Sequence, residues 1–346
     1  MSTIRVGIVG LGTNCREHHV PKLRACADVE ITGVVNRRPE STAAAAQEFG
    51  IHKTYERWEQ LVADTEIDAV VIGTWPYLHC PITLAALSAG KHVMTEARMA
   101  MNAAEARKMH EASQDHPELV AQIVPSPIGF KVDRVVKEMI ADGYLGQLRE
   151  VAVIGCTDGF ADADAPLHWR QSAEYSGLNM LFLGIVHEAL MRWVPEPVRV
   201  FAQTHAFTSD RTDPATGQSV RVGIPDSIQA LTLLPEGARA VYHISGAIRF
   251  GPALQIHLYG SEGTIKYLSD PADQLLAARK GEPQLQKVDI PQDKAYSWRV
   301  EQDFIAAIRG ETKIELTDFA TGVRYMEFTE AVARSAETGQ AVELQC

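Results

Sequence analysis

The chain has 346 residues, 46% hydrophobic and 22% charged, with a formal net charge of −11. That length suits two domains rather than one core, and the acidic balance argues against a nucleic-acid or anionic-membrane surface, since either needs a basic face. The run MSTIRVGIVG enters a strand pattern at once, which leaves no room for a signal peptide, and no apolar stretch reaches the length of a membrane span. Five scattered cysteines (Cys15, Cys26, Cys80, Cys156 and Cys346) without CxxC spacing point to a reducing compartment. A cytoplasmic protein with no nucleic-acid or membrane partner is expected.

In chain order, IRVGIV (4–9) reads as a strand that ends in a glycine cluster, followed by a helix to about Ala25. VEITGVVN (29–36) is the next strand, then come helices over 39–49 and 58–63. DAVVIGT (68–74) and KHVMTE (91–96) are buried strands separated by a helix over 78–90, and a helix over 103–113 precedes the strand LVAQIV (119–124). Continuous β-branched runs alternating with helices predict an α/β fold, a doubly wound parallel sheet covered on both faces. After residue 125 the pattern changes. A helix over 130–142 leads to VAVIG (151–155) and then to strand candidates at 198–207, 227–234, 238–245 and 254–260. Successive strands with turns between them predict a largely antiparallel open sheet in an α+β domain. The polar segment 209–225 reads as a surface loop, and helices near 298–309 and 317–336 close the chain. The expected division is 1–124 and 125–346, with room for the last helices to pack back on the first domain.

The loop Gly10-Leu11-Gly12-Thr13-Asn14-Cys15 follows a strand and precedes a helix. Gly10 permits a tight turn and Gly12 a close backbone approach to a pyrophosphate seated on the helix N-terminus, while a small Cys15 still allows close helix–strand packing. Such a turn is common in folds that bind nothing, but its place in the first βαβ unit makes it a candidate dinucleotide site. At the end of the second strand an NAD site usually carries a carboxylate for the ribose 2′-hydroxyl. Here the chain reads Asn36-Arg37-Arg38. Two guanidiniums suit a 2′-phosphate, which favours NADP and leaves NAD open if Asn36 instead holds an ordinary ribose.

The segments GLGTNCREHHVPKL, TWPYLHCPITLAALSAGKHVMTE, WR at 169–170, GSEGT at 260–264 and EQDFIAAIRG together resemble the glucose–fructose oxidoreductase/inositol dehydrogenase/MocA family. The resemblance runs from about residue 3 to 345. It implies a Rossmann domain, a second domain whose open sheet forms a homo-oligomer interface (dimer or tetramer), and a pyranose, inositol or related polyol lying over the nicotinamide. It also implies that Thr74, Trp75, Pro76, His79, Glu96, Ala97, Trp169 and Arg170 join the cofactor pocket. Family members carry a lysine after the glutamate that follows AGKHV, and an aspartate four residues before a histidine. Here those positions hold Ala97 and Leu183, while His187 remains.

Alcohol oxidation by a nicotinamide needs a group to take the hydroxyl proton, and Ala97 offers none. Arg98 stays protonated, so it suits anchoring an anion rather than acting as base. His187 has the ordinary pKa for the task, but a histidine on an apolar helix is often a satisfied core residue. Glu188, next in sequence, projects from another part of the helix. His168 and Tyr175 are the other candidate proton carriers. His18-His19 lacks metal-ligand helical spacing, so no metal is expected. The reading is an NAD(P)-dependent oxidoreductase on a sugar-like or polyol substrate with an atypical catalytic set. The alternatives are a cofactor-retaining enzyme that cleaves by transient oxidation, and a non-catalytic dinucleotide- or sugar-binding protein.

Overall fold

The computed structural model describes residues 3–344. The chain divides into two compact units: residues up to Pro125 with Arg299–Met326, and Ser126–Trp298 with the residues from Glu327 onward. Cys15, Cys26, Cys80 and Cys156 are free thiols, and Cys346 lies outside the described residues. Among the described residues no helix is long and apolar enough to cross a membrane.

In the first unit, β1 (Ile4–Val9), β2 (Val29–Val35), β3 (Lys53–Thr54), β4 (Ala69–Ile72), β5 (His92–Thr95) and β6 (Ala121–Ile123) form one parallel sheet. Its order is β3-β2-β1-β4-β5-β6, so the winding reverses between β1 and β4, where a doubly wound sheet opens its binding crevice. Helices α1 (Val20–Arg24), α2 (Pro39–Phe49), α3 (Trp58–Ala63), α4 (His79–Ser88) and α5 (Ala103–Asp115) connect the strands. Every residue of β4 is buried, which is why its sequence shows no alternation. Local chemistry sets the helix ends. Pro39 supplies the fixed φ of a first turn, and Asn102 accepts the Glu105 N–H at 2.9 Å to cap α5. The predicted first helix opens at Thr13–Asn14 and then widens into a π segment over Cys15–His19, in which the Val20 N–H reaches back to the Cys15 carbonyl. Pro21, with no N–H to give, follows at once.

The returning segment belongs to this unit. The Ile123 N–H donates to the Thr317 carbonyl at 3.0 Å and Gln122 Nε2 to the Leu316 carbonyl at 2.9 Å, so the chain borders the sheet beyond β6. The helix Val300–Ile308 buries Val300, Glu301, Phe304 and Ile305.

The second unit holds a nine-stranded mixed sheet built from β7 (Leu148–Cys156), β8 (Arg199–His205), β11 (Ser227–Leu233), β12 (Arg239–Ser245), β13 (Gln255–Gly260), β14 (Gly263–Leu268), β15 (Gln274–Arg279), β16 (Gln286–Lys287) and β17 (Val342–Glu343). The order is β16-β15-β14-β13-β7-β12-β11-β8-β17, and only β7 and β12 run parallel. Strict alternation splits its faces. Val153, Ala202, Ala230 and Tyr242 join a core with Val136 of α6 (Asp133–Ala141), Leu183 and Val186, and with Phe328 and Val332. The opposite face carries Phe201, Leu231 and Val241, placed directly across from one another on three neighbouring strands and 38%, 60% and 41% exposed.

The segment 209–225 is not the plain surface loop expected from its composition. It forms a small hairpin, β9 (Asp210–Thr212) with β10 (Ser219–Arg221), and its Arg211 is buried. That guanidinium donates to the carbonyls of Phe160, Asp162 and Ala165 at 2.7–2.8 Å, binding the loop after β7 to the hairpin.

Candidate cofactor and catalytic sites

In the first unit the carboxyl ends of β1, β2, β4 and β5 bring together Gly10, Asn36, Thr74 and Glu96. Gly10 sits at φ +84°, and a Cβ there would lie 2.7 Å from Thr74 Cγ2, 2.8 Å from Thr74 N and 2.9 Å from the Gly73 carbonyl carbon. The loop therefore rides directly on the end of β4. A Cβ on Gly73 would meet Cys15 Sγ at 2.2 Å, so the Cys15 side chain fills the notch between helix and strand. Around Gly12, by contrast, a Cβ would meet nothing within 4 Å. Gly12 is exposed and its Cα side faces open space, room that a pyrophosphate at the helix N-terminus would use, while its own N–H is turned inward to the Gly10 carbonyl at 2.8 Å. Thr13 is exposed beside it.

Asn36 is engaged within the protein. Its Oδ1 accepts the Leu11 N–H at 2.6 Å and its Nδ2 donates to the Ser41 carbonyl at 3.0 Å, tying the glycine loop to the start of α2. Arg37 and Arg38 beyond it are exposed. On the other side of the loop the Thr74 hydroxyl is buried and has no hydrogen-bond partner among the described residues. An orphaned hydroxyl beside an open glycine cradle fits a polar ligand at this edge of the sheet.

Two expectations for this unit need correction. His79 does not line the crevice, because it is fully buried with Nδ1 2.8 Å from the Arg98 carbonyl and Nε2 2.9 Å from the Thr74 carbonyl. Burial holds its pKa below the ordinary value, and the ring acts as a strut between the ends of β4 and β5. Arg98 is 6% exposed, so its guanidinium does not stand open to a substrate anion as anticipated. Pro76 is also buried, while Trp75 and Ala97 are half-buried.

A chain of ionisable groups missed in the sequence lies next to the loop. His19, fully buried, has Nδ1 2.6 Å from Glu301 Oε1 and Nε2 2.9 Å from Glu96 Oε1. Asn14 Nδ2 donates to the same Glu96 oxygen. Burial opposes charge on the imidazole, yet the bonds to Glu301 and Glu96 carry it up to about 9. Burial alone would raise the Glu96 carboxyl, but the His19 bond outweighs it and holds that group below the usual carboxylate range. Cys15, His19 and Glu96 bring three potential metal-ligand atoms within 4.8 Å of one another. Both nitrogens of His19 are engaged by carboxylates in this arrangement, which makes the cluster part of an ion-pair chain. The signal in the sequence was His19 four residues after Cys15, on the inner face of the first helix; its partner Glu301 comes 282 residues later.

In the second unit, His187 is buried against the sheet. Its Nδ1 and the Tyr242 hydroxyl share a hydrogen bond of 2.9 Å, and its ring stacks on Phe328 at 3.7 Å. Burial lowers its pKa to about 3, so the ring is neutral and is not poised as an acid–base group, contrary to the sequence expectation. The half-buried residues of α8 (Leu183–Leu190) and its entry are Phe182 and Ile185, both apolar. Glu188 does not orient the His187 ring; it pairs with Arg192 at 2.8 Å.

The segment 168–176 is organised differently. His168 is exposed, and its Nδ1 accepts the Arg170 N–H at 3.2 Å in a cap of the turn Trp169–Gln171. With Nδ1 accepting, the proton of the neutral ring sits on Nε2, which is set as a hydrogen-bond donor. Burial and then Arg170 hold its pKa below the ordinary value. The Arg170 guanidinium lies 4.2 Å over the Trp169 ring, and Tyr175 is half-buried in α7 (Ala173–Ser176).

Comparison with known proteins accords with this geometry. Residues 4–122 match the family model described as the GFO/IDH/MocA oxidoreductase family with an NAD-binding Rossmann fold, and residues 134–266 match the GFO/IDH/MocA C-terminal domain. The chain is 27% identical over 351 residues to a 1,5-anhydro-D-fructose reductase of Ensifer adhaerens, covering 99% of this chain and 98% of that protein. It is 24% identical over 265 residues to a levoglucosan dehydrogenase of Pseudarthrobacter phenanthrenivorans, covering 71% and 66%. A solved levoglucosan dehydrogenase in complex with NADH and L-sorbose superposes with a TM-score of 0.86 over 99% of both chains at 21% identity, a likeness of fold.

Proposed function

The chain belongs to the GFO/IDH/MocA oxidoreductase family, and from that premise we propose that it interconverts a secondary alcohol and a ketone on a sugar or related polyol, using NADP. The observation that carries the cofactor reading is the open cradle at Gly12 beside the orphaned Thr74 hydroxyl. The open side of the Gly12–Thr13 turn, at the N-terminus of the first helix, would seat the pyrophosphate, Thr74 and Glu96 would take hydroxyl or amide groups of the nicotinamide half, and Arg37 and Arg38 would take the 2′-phosphate. The nicotinamide, when bound, accepts or donates the hydride. Because Ala97 has no polar group, the substrate oxygen must be met by other residues. His168 and Tyr175, both of the second unit, are the candidate groups for the proton that the alcohol loses or the ketone gains. Trp169 and Arg170 form a flat apolar-and-cationic surface suited to one face of a sugar ring.

The test is reduced-cofactor absorbance with a panel of aldoses, inositols, anhydrosugars and their keto forms. NADPH is expected to support turnover, and Arg37→Ser/Arg38→Ser to weaken NADPH binding about tenfold or more while NADH binding changes little. Equal loss for both cofactors would sink the NADP assignment. Tight NADPH binding with no turnover on any substrate would instead favour a binding protein.

The open sheet face supports a homo-oligomer. The row Phe201–Leu231–Val241 is flanked by the exposed Arg239–Glu150 pair, an apolar strip with a polar rim of the kind that two copies bury against each other. Leu231→Glu is expected to shift the particle to monomer mass in light scattering. An unchanged mass would place any interface elsewhere.

A further inference from the structure

We propose that Glu301 and His19 form a buried positioning pair, which presents the Glu96 carboxylate at a fixed angle to the hydroxyls of the nicotinamide-side ribose. The inference rests on the cofactor reading above. Three elements contribute: Glu301 from the first turn of the helix Val300–Ile308, His19 from the π turn after the glycine loop, and Glu96 from the end of β5. Glu301 and His19 are fully buried, whereas the Glu96 side chain is 15% exposed. Glu96 Oε1 accepts from both His19 and Asn14, while Oε2 has no partner among the described residues. The chain therefore has a closed end at Glu301 and an open end at Glu96 Oε2.

Physical chemistry gives each member a task. A carboxylate beside so much apolar packing would take up a proton unless a cation faced it. An imidazole donating at both nitrogens must be protonated, and a second carboxylate on its far side keeps it so. Glu301 thus acts on the cofactor only through His19 and Glu96. The sum, two carboxylates and one imidazolium, leaves one negative charge to emerge at Oε2, a strong acceptor for a ribose diol. Glu96 stands at the end of β5, the half of the sheet on which a doubly wound fold seats the second mononucleotide. The other ionisable groups around the chain do not supply that charge. Burial keeps the Cys15 and Cys26 thiols up; the Lys22 amine, lowered by burial and raised by Glu301, acts at the Glu301 end of the chain, and His79 is braced by two carbonyls.

The experiment is NADPH affinity by cofactor fluorescence from pH 6 to 10, on the full chain. Wild-type affinity is expected to hold up to about pH 8 and to fall as His19 loses its proton near 9. In Glu301→Gln the fall should begin at least one pH unit lower, with Kd about tenfold weaker at pH 8 and substrate KM unchanged at saturating cofactor. Glu301→Asp, which keeps the charge, should restore the wild-type profile. A Glu301→Gln profile that overlays the wild type would overturn the pair's role while leaving the cofactor reading intact. No NADPH binding by the wild type would overturn both. Should Glu301→Gln not fold, the His19 ring is titrated by NMR in the wild type, and a pKa at the ordinary histidine value overturns the proposal.

Discussion

Gly10→Ala is expected to abolish useful dinucleotide binding, raising the NADPH Kd at least about 100-fold, or about 2.7 kcal/mol. The φ of +84° costs an L-residue about 1–2 kcal/mol before any contact is made. The new Cβ would then lie 2.8 Å from Thr74 N and 2.9 Å from the Gly73 carbonyl carbon, and backbone atoms have no rotamer to yield. The loop must lift off β4, which breaks the Leu11 N–H bond to Asn36 and carries the open Gly12 turn away from its place at the helix N-terminus. Gly12→Ala is the control. Its Cβ meets nothing in the protein, so melting temperature should stay within about 1 °C while affinity falls, because the methyl group occupies ligand space. Calorimetry of both variants with NADPH decides the matter. Wild-type affinity in Gly12→Ala would show that the pyrophosphate does not use this loop.

That loop was the most legible part of the chain, because tight turns and buried parallel strands leave local signatures. The Rossmann strands were visible as continuous apolar runs, and β8, β11 and β12 as alternating ones. Other elements were set by partners distant in sequence. Gln274–Arg279 reads QLLAAR, a composition that favours helix, yet it is a strand because it pairs along its whole length with β14 and buries Leu275 and Ala277. Arg211 looked like one more charge in a polar loop, since nothing local shows that three carbonyls converge on it.

The site divides in the same way. Gly10, Gly12 and Cys15 have roles that follow from backbone geometry and could be read from spacing. His187 could not. Its position four residues after Leu183 suggested a catalytic ring without its carboxylate, but orientation on a helix depends on what the helix packs against. Here it packs on Tyr242 and Phe328, so the imidazole became core. The charge that matters gathered instead on His19, through two carboxylates 77 and 282 residues away.

Arg192→Met is expected to destabilise the second unit by about 3–5 kcal/mol, lowering its melting temperature by roughly 10 °C or more. Both side chains of the Glu188–Arg192 pair are almost fully buried, 4% and 5% exposed. Arg192 Nη2 bonds both Glu188 oxygens at 2.8 Å and the Ser126 carbonyl at 2.7 Å, and the guanidinium lies 5.0 Å over the Phe130 ring. Glu188 in turn accepts the Ser126 N–H at 2.9 Å, so the pair fixes the chain where the second unit begins. Methionine fills the volume of the arginine stem but leaves a carboxylate buried without its cation. The double change Glu188→Leu/Arg192→Met removes that charge as well, and should recover at least half of the loss. Urea denaturation of the three variants, including Glu188→Leu alone, gives the coupling energy. If Arg192→Met costs under about 1 kcal/mol, the pair behaves as a solvated surface bridge and not as a buried one.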